Sequence, residues 1–363
     1  MKLFIILYAD DTVLMAESSS NLQTLLDTFY LYCDTWKMKV NVNKTKIVFS
    51  KGWLPRNLIF NYNGANNEIF KDFNYLGIYF SRTGSFKVCK NHLYEKAMYK
   101  VMKKGRKHNL SISCQLDLFD KLVKPILLYG SEIWGFGNND ILEKVHLKSC
   151  KIILHLKATT PNCMIYGELG RYPLDIDIKL RNILFWSKLI TGKDIKLSII
   201  YIKLSIISYG LLYLSQNNNC QFSWLNYVES ILNECGLSYV WLNQYFISEQ
   251  WLKNSVKTCL QDQFYQTWHA NIDTGSKTLN YRLFKNKFEF ENYLNILDDR
   301  DIFTFCRFRL NNHKLPVEKT GYWTRAIKRF ALFDLLKSLY SDTISCRNIF
   351  RLCRKNYKRC IFI

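Results

Sequence analysis

Two adjacent carboxylates near the start of the chain, Asp10 and Asp11, are the residues best suited to carry chemistry. Apolar residues flank them on both sides, Leu3-Phe4-Ile5-Ile6-Leu7 before and Val13-Leu14-Met15-Ala16 after, the pattern of a β-hairpin with two acids at its turn. Phosphoryl transfer by polymerases uses two divalent cations, held by carboxylates, that clamp the attacking and leaving oxygens. Mg²⁺ suits such a site because it takes carboxylates together with substrate phosphates and keeps some of its waters. Neighbouring strand residues point to opposite faces, so Asp10 is the expected metal ligand and Asp11 a supporting residue. An Asp-Asp pair by itself is weak evidence, since most such pairs are solvated turns. The stiff apolar strands on both sides favour the catalytic reading.

A hairpin of this kind needs a layer behind it. Ser20-Asn21-Leu22-Gln23 fits a capping box, and Leu22, Leu25, Leu26, Phe29, Cys33 and Trp36 form the stripe of a helix over residues 20–37 lying on a sheet. Asn43-Lys44-Thr45 is a polar stop before a short strand, Ile47-Val48-Phe49. A loop with Pro55 and Gly64 leads to another strand over residues 73–80. From about residue 90 the pattern turns helical. A basic helix spans His92 to Lys107, and Leu116, Phe119, Leu122, Val123 and Ile126 mark the next, kinked by Pro125. A further helix falls near residues 140–155, Asn217-Asn218-Asn219 marks a boundary, and aromatic-rich helices continue to about residue 270.

The chain has 363 residues, enough for two or three compact units, and 51 Lys+Arg against 30 Asp+Glu give a net charge of +21. Such an excess favours polyanions, with nucleic acid first among them. The excess is local: residues 82–107 hold nine Lys/Arg and one acid, and residues 301–363 hold fourteen Lys/Arg and four acids. The middle of the chain is close to neutral. None of the 12 cysteines falls into a disulfide framework, and no signal peptide precedes Tyr8, so reduced thiols in the nucleus or cytoplasm are expected. Residues 195–214 are apolar enough to suggest a membrane span. Lys196 and Lys203, with Ser198 and Ser205, share one helical face, however, and make the segment an amphipathic, packed helix. The same segment repeats IKLSII at 195–200 and 202–207, a duplication too short for a solenoid.

Four motifs in order carry a resemblance. Tyr8-Ala9-Asp10-Asp11 resembles the Y-x-D-D motif of the reverse-transcriptase palm, and Asn43-Lys44-Thr45 the motif that follows it. Tyr75-Leu76-Gly77 resembles the Y-L-G element of the primer grip, and residues 125–135, PILLYGSEIWG, are similar to a thumb segment of non-LTR (LINE-type) retrotransposon enzymes. The resemblance runs from residue 1 to about residue 323 and implies an RNA-directed DNA polymerase with an α+β fold. That fold is a partial palm over residues 1–85, a helical thumb-like region over 86–216 and a helical, basic C-terminal region over 217–363. It implies catalytic, metal-binding roles for Asp10 and Asp11 and an assisting role at the leaving pyrophosphate for Lys44. It also implies that Tyr75, Leu76 and Gly77 hold the primer end. Lys96, Lys100, Lys103, Lys104, Arg106 and Lys107 would track the phosphates of an RNA template and DNA primer. The implied cofactor is Mg²⁺ or Mn²⁺.

The departures are equally specific. The family carries another catalytic aspartate well upstream of Y-x-D-D, yet none of the nine residues before Asp10 is acidic. The chain alone is therefore expected not to polymerise DNA, and the alternative is a non-catalytic nucleic-acid-binding remnant. Cys306, His313, Cys346, Cys353 and Cys360 stand where the family often has a Cys/His knuckle, but the last three lie seven residues apart, so zinc is not expected.

Overall fold

The computed structural model describes residues 4–16, 18–48, 59–67, 69–104, 110–191, 223–278 and 281–310. Phe49, Pro55, Arg106, Lys107, the duplicated segment, the three asparagines at 217–219 and the final basic stretch from residue 311 onward, with His313, Cys346, Cys353 and Cys360, lie outside these residues. The fold is mixed: short strand pairs come first and helices follow. Two compact units, Met1–His92 and Leu93–Ile363, divide at a point inside a helix.

In the first unit, β1 (Phe4–Tyr8) and β2 (Asp11–Met15) pair antiparallel with Tyr8 opposite Asp11, which leaves Ala9 and Asp10 as a two-residue loop. Helix α1 (Ser19–Thr35) follows and packs against β2 and the next hairpin. Its cap is Ser18, not Ser20: the Ser18 hydroxyl accepts from the Asn21 amide at 3.2 Å. Gln23 makes no return bond in a capping box because its amide has a better partner. Its Nε2 donates to the Asn61 carbonyl at 2.8 Å while its Oε1 accepts from the Asn61 amide at 3.0 Å. The apolar stripe buries Leu25, Leu26 and Cys33 and then stops; Trp36 lies past the helix end and is 66% exposed.

The strands after α1 are more broken than the sequence suggests. β3 (Ile47–Val48) pairs parallel with β6 (Ile69–Phe70). β4 (Phe60–Tyr62) and β5 (Ala65–Asn67) form a hairpin around Asn63-Gly64, inside what the sequence reads as a loop. The strand expected over 73–80 is a second tight hairpin, β7 (Asp72–Tyr75) and β8 (Ile78–Ser81), folded back at Leu76-Gly77. Among the described residues the strands form four separate pairs. Leu26, Ile47, Phe60 and Tyr62 make the small core beneath them.

Helix α2 (Lys87–Lys104) starts earlier than its basic pattern implies. Cys89, Leu93, Ala97 and Val101, each four residues apart, are its buried stripe. Lys90, counted among the cations of this stretch, is itself buried. The next apolar run breaks at Val123 into α3 (Ile112–Leu122) and α4 (Lys124–Leu127), with Pro125 in the first turn of α4, where its missing N–H is harmless. Helices α5 (Ser131–Trp134), α6 (Asp140–Ile153), α7 (Asn162–Leu169) and α8 (Leu174–Thr191) follow. The thumb-like motif has a packing logic here. Trp134 is fully buried with its indole N–H donating to the Tyr129 carbonyl at 2.8 Å. A Cβ at Gly135 would stand 2.6 Å from Ile178 Cγ2 and 2.7 Å from Asn182 Nδ2, so glycine lets α5 close on α8.

Beyond these lie α9 (Ser223–Glu234), α10 (Ser238–Asn243), the long α11 (Glu249–Thr274), α12 (Tyr281–Phe284), α13 (Tyr293–Ile296) and α14 (Asp299–Arg309). Cys306 packs in the core with Tyr293, Trp268 and Tyr281. A buried ionic cluster ties α14 to α7: Arg309 Nε donates to Glu168 Oε1 at 2.8 Å, Arg309 Nη2 lies 3.2 Å from Glu291, and Lys285 pairs with Glu291. Glu168 also accepts from the Tyr293 hydroxyl. Two acids and two bases balance there, so removal of one strands the others. Arg309→Met should cost about 3–5 kcal/mol in urea unfolding. Arg309→Met with Glu168→Gln should cost less than Arg309→Met alone. Equal losses in the two variants would contradict the pairing.

Candidate nucleotidyl-transfer site

The acidic hairpin is held by its turn. Ala9, first in the two-residue loop, has φ 51°, a conformation that costs an alanine strain of about 1–2 kcal/mol. Asp10 is second in the loop, and Asp11 opens β2. Asp10 is thus a loop residue rather than a strand residue, and the alternation of strand faces does not decide where it points. Both carboxylates are exposed, and neither makes a hydrogen bond or ion pair among the described residues. They are available to a ligand from outside the chain. Mg²⁺ is held by one or two carboxylates plus substrate phosphates, so these two fit as part of such a donor set. They do not complete one: among the described residues no group of three or more His, Cys, Asp or Glu could hold a metal ion.

The other expected site residues fall into separate places. Lys44 ends a 3₁₀ turn, Val42–Lys44, whose cap is Asn41 with its side-chain oxygen accepting from the Lys44 amide at 3.3 Å. Lys44 is exposed, and no hydrogen bond or ion pair joins it to Asp10 or Asp11 among the described residues. Tyr75 closes β7, and Leu76 and Gly77 are the turn itself, at φ 51° and 82°. The positive φ at Gly77 is one that glycine adopts without steric cost. The Tyr75 ring stacks on Phe73 at 6.2 Å between centroids, and its hydroxyl is buried without a partner among the described residues.

On α2, Lys96, Lys100 and Lys103 are exposed beside Tyr99 and Met102, which are 65% and 59% exposed. The Lys103 ammonium lies 5.8 Å from the centre of the Tyr99 ring. Lys104 is the last described residue of α2. The hairpin at Asn63-Gly64 and the Gln23–Asn61 pairing are elements that sequence reasoning missed. An Asn-Gly pair between Phe60-Asn61-Tyr62 and Ala65-Asn66-Asn67 is the signal that could have found the first.

Residues 1–80 match the family model described as reverse transcriptase (RNA-dependent DNA polymerase). The chain is similar to the RNA-directed DNA polymerase from mobile element jockey of Drosophila melanogaster. The two are 24% identical over 164 residues, which is 42% of this chain and 18% of that protein. It is also similar to an uncharacterised transposon-derived protein of Caenorhabditis elegans, 23% identical over 180 residues, 48% of this chain and 64% of that one. The chain thus matches less than two thirds of the length of either relative. No solved structure matches it. The described helices include none long and apolar enough to cross a membrane.

The two strained turns give a direct check of the site geometry. Ala9→Gly and Leu76→Asn each replace a residue at positive φ by one that tolerates it. Each should raise stability by roughly 0.5–1 kcal/mol in thermal unfolding. A loss of stability in both would contradict the turn conformations.

Proposed function

We propose that this chain is part of a non-LTR retrotransposon reverse transcriptase and contributes its Y-x-D-D hairpin to metal-dependent nucleotidyl transfer. One observation carries the reading: two unpaired carboxylates stand at the tip of a tight hairpin, within the stretch that matches the reverse-transcriptase family model. The resident Mg²⁺ or Mn²⁺ would supply charge neutralisation at the transferring phosphate. Asp10 would hold the cation and Asp11 would support it. The two-residue loop would fix where Asp10 stands before substrate arrives. Lys44 would assist at the pyrophosphate, and Tyr75, Leu76 and Gly77 would bear on the primer end. Lys96, Lys100, Lys103 and Lys104, with Arg106 and Lys107 after them, would follow the phosphates of the RNA template and DNA primer. Such work belongs inside the cell, in the nucleus or the cytoplasm.

By itself the chain is expected to give no primer extension, because two-metal catalysis requires carboxylates on both sides of the ion pair and the hairpin supplies only Asp10 and Asp11. The preorganised electrostatics of such a site supply factors of about 10²–10³ in rate for each element. Template–primer should still bind, and its affinity should fall steeply with salt as phosphates are neutralised. The test pairs filter binding with primer extension on an RNA template in Mg²⁺ or Mn²⁺, for the chain and for Asp10→Ala. Extension that vanishes in Asp10→Ala would keep the family reading and remove the expectation of inactivity. Absence of salt-sensitive binding would overturn the reading itself.

A further inference from the structure

Helix α6 carries a second line of positive charge that its near-neutral surroundings in the sequence conceal. Lys144, Lys148 and Lys151 follow at intervals of four and three residues and so share one face, opposite the buried Leu142, Val145, Ser149 and Ile153. Lys144 and Lys148 are exposed, as is Lys157 in the loop that follows. Arg307, exposed on α14, donates from Nε to the His155 carbonyl at 3.2 Å, which sets a further cation at the end of the line. Lys151 Nζ donates to the Ala158 carbonyl at 2.8 Å and to Asn162 Oδ1 at 3.1 Å, and so stays beside the Lys157 loop.

Among the described residues no carboxylate answers these cations. None of the five Lys and Arg residues takes part in an ion pair among the described residues, although Lys124, Arg171, Lys179, Lys285 and Arg309 in the same unit do pair with carboxylates. The two acids nearest in sequence are engaged elsewhere. Glu143 turns inward, accepting from the Tyr166 hydroxyl at 2.6 Å and from the Leu174 amide at 2.7 Å. Asp140 accepts from the Asn138 side chain at 2.8 Å. Burial and then the neighbouring charge of Lys148 hold the Lys151 pKa below its ordinary value, as expected where cations crowd without a counterion. Cations in a last helical turn complement the helix dipole. That accounts for Lys151, but not for Lys144 at the other end of α6 or for Lys157 and Arg307 outside it.

We propose that the α6 face, formed by Lys144, Lys148, Lys151, Lys157 and Arg307, is a second binding surface for the phosphate backbone of nucleic acid. It rests on the proposed reading of the chain and extends it to a surface separate from the α2 lysines. From Lys144 to Lys151 the helix advances about 10 Å at 1.5 Å per residue. A duplex presents one phosphate per strand about every 3.4 Å, so about three phosphates of one strand lie within that length, beside Lys144, Lys148 and Lys151. Cations spaced along one face suit the regular spacing of phosphates, so the contact is with backbone and independent of sequence.

The test uses the full chain and a fluorescent 20-base-pair RNA–DNA hybrid of arbitrary sequence, titrated at several salt concentrations. The variant Lys144→Gln/Lys148→Gln/Lys157→Gln removes three exposed charges and no described hydrogen bond. It should weaken binding about tenfold or more and make the dependence of log K on log salt shallower by about three. The same loss should appear when Lys96, Lys100 and Lys103 are already glutamine. As a second readout, the hybrid should protect Lys144, Lys148 and Lys157 from acetylation, and polyglutamate of matched charge should not. An unchanged salt slope with unprotected lysines overturns the α6 surface while leaving the polymerase reading intact. Equal protection by polyglutamate overturns the assignment to nucleic acid, and a chain that binds no hybrid at low salt overturns both readings.

Discussion

A metal-binding carboxylate must stand at a fixed point and must not be satisfied by its own protein. The hairpin of residues 4–15 meets both demands through one constraint, a loop of only two residues. With Tyr8 locked opposite Asp11, Asp10 has no freedom to fold back along either strand. Ala9 bears the cost by taking a positive φ. Strain of this kind is kept where the surroundings over-determine it, and it is found often at active sites. The same device recurs at Leu76-Gly77, where a leucine takes the strained first position. In both places a side chain that could relieve the strain, glycine or asparagine, is absent from the first loop position. The rest of the first unit serves to hold these tips: α1 is clamped to β4 by the two-way amide contact of Gln23 with Asn61 and by the small core around Leu26 and Phe60.

Much of this was legible in the sequence, and what was missed has physical causes. The hairpin at Asp10-Asp11 is readable because apolar runs of strand length flank it. Helix α1 is readable because its stripe is long, yet its cap stands two residues before the one the sequence suggests. Three consecutive serines, Ser18-Ser19-Ser20, all suit a cap, and only tertiary pairing of Gln23 with Asn61 decides among them. The segment 73–80 looks like one strand because its residues favour strands throughout. Register alone shows that Tyr75 faces Ile78 across a turn. The residues of the candidate site are placed on three separate tips and one helix, and a sequence cannot state distances between them. Cys306, a candidate metal ligand by type, proved to be a core residue, as a small apolar side chain usually is.

Charge gave the opposite lesson. Averaging along the sequence singled out residues 82–107 but hid α6, because Glu143 and neighbouring acids cancel its lysines in any count. The fold separates what the count combines: Glu143 is drawn inward to Tyr166 and the Leu174 amide, and the lysines remain outside. Conversely, Lys90 counts towards the basic stretch yet is buried. Inside the helical unit, ionic groups are used structurally. Glu168, Arg309, Lys285 and Glu291 balance one another where the last described helix meets α7, and this cluster fixes Arg307 on the outer side of α14.

The central claim is that Asp10 offers a carboxylate to a divalent cation. Mn²⁺ titration of the isotopically labelled chain, followed by paramagnetic broadening of amide signals, addresses it without requiring activity. Signals from the loop at residues 8–12 should broaden first, and Asp10→Asn should abolish that broadening while the hairpin stays folded. Broadening that spares this loop, or that persists unchanged in Asp10→Asn, would contradict the account.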